Sequence, residues 1–131
     1  MTDDRRKQRI ESSVTQMVKS VLPSTTNNKD TLFGGTLLSW MDEVAFITAT
    51  RFARCPFVTV SIDRTDFKQP IPSGSIVELV GRVEHVGRSS VKVHVDVFVE
   101  GMYSDTRLKA VTGLFTMVAI DDNSQSRPLP F

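Results

Sequence analysis

Three sets of residues have the types and spacing to do chemistry, and all lie between Asn27 and Arg54, NNKDTLFGGTLLSWMDEVAFITATRFAR. The first is the pair Gly34–Gly35. Each would weaken a helix interior by about 1 kcal/mol. At the start of a helix, the pair is better explained by close approach of another backbone or a ligand to the free N–H groups of the first turn. Such a turn is a ready site for an anion or an oxyanion. The second is Asp42, an acid inside an apolar run. The third is Asn27, in the polar loop Pro23–Asp30 that feeds the glycine pair, where side chains commonly carry chemistry.

The elements that must position these groups follow from pattern. Leu37, Met41, Val44, Ala45, Thr48 and Phe52 recur at three- and four-residue spacings, which predicts one face of a long helix; Leu38, Ile47 and Ala49 widen the stripe. Asp42 and Glu43 are the only acids of this helical run, and Glu43 is expected to face outward. Arg51 and Arg54 complement the negative end of the helix dipole, and Pro56 ends the helix. The remainder reads as strands: about Ile10 to Leu22, Phe57 to Phe67, Ser75 to Val86, the alternating valines Val91 to Val99, and about Arg107 to Ile120. The turn Gly87–Ser89 joins two of them as a hairpin. Residues 1–9 and 122–131 read as flexible tails. A lone amphipathic helix needs a sheet to cover it. The expected class is therefore α+β: one domain over residues 1–131, an antiparallel sheet wrapped around a central helix. Met17, Val21 and Phe98 fall on the other face of the sheet and predict that a partner copy buries part of it.

A net charge of +1 over 131 residues, with signs evenly mixed, gives no case for nucleic acid or a membrane surface as partner. No apolar run approaches the roughly 20 residues of a membrane span, and the N-terminus MTDDRRKQR lacks the apolar region of a secretory signal. The single cysteine, Cys55, cannot form an internal disulfide, which fits a reducing compartment. The expectation is a soluble cytoplasmic protein. No cluster has metal-ligand spacing. His85 and His94 lie on strands and read as exposed or satisfied. Cys55 reads as a small buried residue, and Trp40 and Phe46 as core or interface.

Three segments carry a family resemblance: Pro23–Asp42 (PSTTNNKDTLFGGTLLSWMD), Thr59–Pro72 (TVSIDRTDFKQPIP) and Val86–Ser90 (VGRSS). Together they resemble the hotdog-fold acyl-CoA thioesterases, in the acyl-CoA thioester hydrolase branch. The pattern there is an asparagine, a few residues, phenylalanine or histidine, Gly-Gly, then Met-Asp in the following helix. A terminal S-R-x-x-P run, here Ser126 to Pro130, recurs too. One position departs: the family usually has glycine three residues after the asparagine, and here it is Asp30, which could cap the helix or add negative charge at the mouth of the site.

The resemblance implies an enzyme that hydrolyses acyl-CoA to a free fatty acid and coenzyme A. It implies no separate cofactor, because coenzyme A is part of substrate and product. Amides at Gly34 and Gly35 would polarise the carbonyl, Asp42 would act as base or nucleophile, and Asn27 would orient water or hold the thioester. Arg88, Ser89 and Ser90 at the hairpin turn, with Arg64 and Lys68, would bind coenzyme A. Asp42 lies seven residues beyond Gly35, roughly 10 Å along one helix. That is too far to share a carbonyl within one chain. Two antiparallel helices across a two-fold axis would bring one chain's acid to the other's glycine turn, in a homodimer that the family often builds into a trimer of dimers. Three other readings compete, and one of them, a purely structural oligomer, would not explain Asp42 within an apolar helix. A hotdog dehydratase needs a histidine beside its acid, and Asn27–Arg54 holds none. A non-catalytic acyl-CoA sensor usually carries a DNA-binding module, for which the residues before Asn27 leave no room.

Overall fold

The computed structural model describes residues 1–131. In chain order it contains α1 (Asp3–Ser12), β1 (Thr15–Ser20), one turn of 3-10 helix (Pro23–Thr25), α2 (Gly34–Ala53), β2 (Phe57–Phe67), β3 (Ile76–Val86), β4 (Ser90–Glu100) and β5 (Arg107–Ala119). The strands form one antiparallel sheet in the order β1-β3-β4-β5-β2. One face of it wraps α2, which is the hotdog arrangement expected.

Period-two alternation sets the core. Val77, Leu79 and Val83 of β3, Val91, Val93, Val95 and Val97 of β4, and Phe115 and Met117 of β5 are buried beneath α2. The helix meets them with Leu37, Met41, Val44, Ala45, Ala49 and Phe52. Complete burial of each large side chain contributes roughly 1.5–3 kcal/mol before conformational entropy is counted. The closest approach is at Gly81, where an added Cβ would stand 2.5 Å from Thr48 Oγ1 and 2.7 Å from Val44 Cγ1. The helix therefore rests on bare backbone there.

Both ends of the chain are more ordered than the composition suggests. Residues 3–12 are helical, because Thr2 accepts from the Arg5 N–H and Asp3 and Asp4 occupy the first turn. The strand read from Ile10 is consequently confined to Thr15–Ser20. Arg51 does more than complement a dipole: its guanidinium donates to the Val14, Ser12 and Thr15 oxygens and fixes the corner between α1 and β1. At the other end, Leu129 is buried and Phe131 meets Phe52 edge-on at 5.7 Å between ring centroids. Two apolar side chains finding the core hold the tail down, where polar composition alone predicts looseness.

Candidate active site

The loop before α2 is shaped by Asn27. Its Oδ1 accepts from the Lys29 N–H at 2.9 Å, the Thr31 N–H at 3.2 Å and the Thr31 hydroxyl at 3.1 Å. The turn-forming role of this asparagine is thus filled by its oxygen, and its NH2 group is left with no acceptor in the chain. Asn28, beside it, is exposed. Asp30 does not cap the helix. The N-cap is Phe33, which makes no side-chain cap bond, while Asp30 sits at φ 58°. That left-handed conformation favours glycine and tolerates Asp or Asn, which accounts for the family's glycine at this point.

With no side chain capping α2, the N–H groups of Gly34, Gly35 and Thr36 find no acceptor in the chain; the first to bond back is Leu37, to the Phe33 carbonyl at 3.1 Å. Tight packing inside the chain does not explain the glycines. A Cβ on Gly35 would meet nothing within 4 Å, and one on Gly34 would make ordinary contact with the Phe67 ring. Neither has a positive φ. The empty space faces outward, where the dipole and free amides favour an anion. Beside it, Leu32, Leu37, Phe67, Ile71 and Val111 help line an apolar cavity of about 280 Å3.

Asp42 is half-buried on α2, and Glu43 faces solvent. Thr59 of β2 donates a 2.6 Å hydrogen bond to Asp42 Oδ1, leaving Oδ2 without a protein partner. Thr59 was not among the residues picked out from sequence. It alternates with Val58 and Val60 like any strand residue, and only the antiparallel run of β2 along α2 brings it to an acid 17 residues earlier.

Within one chain the expected set does not converge. Asp42 and Gly35 stay on one unbroken helix. Arg64, at φ 55°, and Lys68 lie toward the Phe67↔Val111 end of the sheet, near Gly34. Arg88 and Ser89 lie toward the opposite end, where Ser89 O accepts from the N–H of Ala119, the partner of Phe57. Ser90 Oγ is turned over the hairpin, 2.9 Å from where a Gly87 Cβ would be. His85 is exposed, and His94 is engaged by Asp96 at 2.8 Å. Cys55 is buried, and burial pushes its thiol up, against a smaller downward pull from Arg127.

This geometry can be set beside known proteins. The family model of the thioesterase superfamily matches residues 29–105. The chain is a member of that superfamily. It is 43% identical over 110 residues to a Bacillus subtilis protein called an uncharacterized acyl-CoA thioester hydrolase, covering 84% of this chain and 64% of that one. To a Haemophilus influenzae protein of the same description it is 38% identical over 112 residues, covering 83% of this chain and 73% of that one. This superfamily member therefore spans less than two thirds of the B. subtilis relative. Among solved structures, an acyl-CoA hydrolase from Staphylococcus aureus, in complex with butyryl coenzyme A, coenzyme A and coenzyme A disulfide, superposes with a TM-score of 0.87 at 35% identity, over 92% of this chain and 74% of that one. A hexameric thioesterase from Yersinia pestis gives 0.82 at 33% identity, over 88% and 93%. Solved variants of the S. aureus enzyme replace an asparagine, an aspartate and a threonine with alanine at positions fifteen and then seventeen residues apart, which is the spacing of Asn27, Asp42 and Thr59 in this thioesterase-superfamily chain.

Proposed function

We propose that this protein hydrolyses acyl-CoA thioesters, as a cytoplasmic enzyme, at sites shared between subunits. The observation that carries the reading is the pairing of Asp42 with Thr59 on a helix whose opening amides have no partner in the chain. Water attacks the carbonyl as its proton passes to Asp42. The oxyanion is held by the amides at Gly34 and Gly35, helped by the Asn27 NH2 group. Collapse of that intermediate breaks the C–S bond, and the coenzyme A thiolate leaves and takes up the proton. Alternatively the free Oδ2 of Asp42 attacks directly, giving an anhydride that water then opens. When water opens that anhydride at the Asp42 carboxyl carbon, a single turnover in 18O-labelled water leaves the label in Asp42 and an unlabelled Asp42 oxygen in the product, an outcome the water route never gives.

Asp42 and Gly35 are roughly 10 Å apart along one helix, so the acid needs the glycine turn of a second, antiparallel copy. The outer edge of β2 suits such pairing: it has no neighbouring strand, and Val58, Val60 and Ile62 are exposed along it at 41%, 55% and 42%. The same pairing would bring a second copy's Arg64 and Lys68 toward the Arg88 end of the first. The hexameric Y. pestis thioesterase, and a second similar structure described as a hexameric broad-specificity acyl-coenzyme A thioesterase, support a trimer of dimers here.

The test is hydrolysis of a chain-length series of acyl-CoAs with the free thiol detected. Asp42→Ala and Asn27→Ala should each remove most turnover, and reassorting subunits of the two inactive variants should restore part of it. Folded variants whose reassorted mixtures stay inactive overturn the shared site. A wild-type protein that binds acyl-CoA without turnover makes it an acyl-CoA-binding protein instead.

A further inference from the structure

The outer edge of β2 carries an irregularity. Between Asp63 and Asp66 the strand takes three steps while β5 takes two, from Leu114 to Thr112, so Arg64 and Thr65 form a β-bulge. Arg64 sits there at φ 55°, a left-handed conformation that glycine or asparagine adopts at less cost than arginine. The bulge is packed against its neighbour. Gly113 lies opposite, and a Cβ on it would stand 3.3 Å from Thr65 Oγ1.

Three charges cluster at this bulge. Asp63, Arg64 and Asp66 are all exposed, and none of them takes part in an ion pair within the chain. Arg82 and Arg107, elsewhere on the sheet, are tied to Glu11 and to Glu78 and Glu100. Arg64 thus holds a costly backbone conformation with no ion pair inside the chain to account for it.

The site geometry fixes where this bulge lies in a pair of chains. Asp42 is bonded to Thr59, and the Gly34 turn lies against the Phe67 ring. Sharing a site sets the Thr59 row of one β2 against the Phe67 row of the other. Opposed strands related by a two-fold axis meet at the residue midway between those rows, which is Asp63. The β5 partners agree, because Leu114, opposite Asp63, is midway between Met117 and Val111. On such an axis the two Asp63 side chains stand opposite each other, and like charges so placed repel. Two guanidinium groups brought in by the bulges offset that repulsion. We propose that the two-fold axis of the dimer passes through the Asp63–Asp66 bulge, where Arg64 of each chain pairs with the bulge acids of its partner. This rests on the shared-site reading above and makes Arg64 a contact between copies, while Lys68 continues toward the partner's Arg88 end.

Single cysteines along β2 read the axis directly. Cys55, the one native thiol, is buried, so wild type treated alike is the blank. Asp63→Cys should cross-link into a covalent dimer on oxidation or with a short bismaleimide, its two Cα atoms lying within the roughly 4.4–6.8 Å that a disulfide spans. Val60→Cys should not, because three residues off the axis on each chain separate the pair by roughly 20 Å. Arg64→Glu should raise the dissociation constant of the dimer about ten- to hundredfold in sedimentation, and the swap of Asp63→Arg with Arg64→Asp should recover most of that loss. An Asp63→Cys protein that stays uncross-linked, or undiminished association in folded Arg64→Glu, overturns the proposal. If both results come out as expected in a protein that hydrolyses no acyl-CoA, the interface stands and the thioesterase reading falls.

Discussion

The Thr59 hydroxyl reaches 2.6 Å to Asp42 Oδ1 and so fixes which carboxylate oxygen remains free. Replacing it with valine keeps the volume and loses the bond. Thr59→Val should lower kcat for a short acyl-CoA by roughly ten- to a hundredfold, below the 10²–10⁴-fold typical of losing the acid or base itself, while Thr59→Ser recovers most of it. Steady-state kinetics on the three proteins checks this, and equal kcat in wild type and Thr59→Val would make the bond incidental.

Gly35 and Gly81 separate two uses of glycine. A methyl group on Gly35 meets empty space. Gly35→Ala should leave the fold as stable or raise it by up to about 1 kcal/mol, yet depress turnover, since the added carbon fills the room in front of the amides. Denaturant melts and kinetics together test the split.

At Gly81 the methyl collides with Thr48 and Val44. Gly81→Ala should destabilise by about 1–3 kcal/mol, the usual range for overpacking a tight interior. The denaturation midpoint should fall with little change in slope.

Much of the fold was legible because β3, β4 and β5 alternate cleanly and α2 repeats its apolar face. What escaped depended on contacts distant in sequence. Nothing about Thr59 marks it until β2 is laid against α2. Gly81 reads as an ordinary strand residue until the helix is placed over it. Helix α1 could have been found from Thr2 followed by Asp3 and Asp4, but it buries no residue fully and so has no apolar period to notice. Asn27 was legible as a position; that its oxygen is committed to the loop, leaving only its NH2 outward, was not.

Asp30 holds a left-handed backbone at φ 58°. Asp30→Gly should stabilise the protein slightly, and Asp30→Val should cost about 1–2 kcal/mol through its Cβ. The valine variant should also lose activity, because the turn presenting Asn27 is distorted. Thermal melts and turnover of both variants read this out.

Glu11 on α1 is ion-paired with Arg82 on β3, and that hydrogen bond holds the Glu11 carboxyl below its ordinary range. A lowered acid stabilises above its unfolded pKa and ceases to do so as pH falls through the folded value. Hydrogen exchange in α1 should therefore quicken relative to the sheet below about pH 4. Glu11→Gln should show that faster exchange already at neutral pH. A pH profile of α1 protection identical in both proteins would exclude the pair as its anchor.

Helix α2 is seated on the Gly81 backbone, as close to the sheet there as a residue without a side chain allows. On the thioesterase proposal, room for acyl groups of different length is expected from rings that stand away from that contact. Phe33, Phe46 and Phe67 are the three most exposed phenylalanines in a single copy. Chain-length tolerance would thus be re-engineered at those three rings, with the scaffold beneath them left alone.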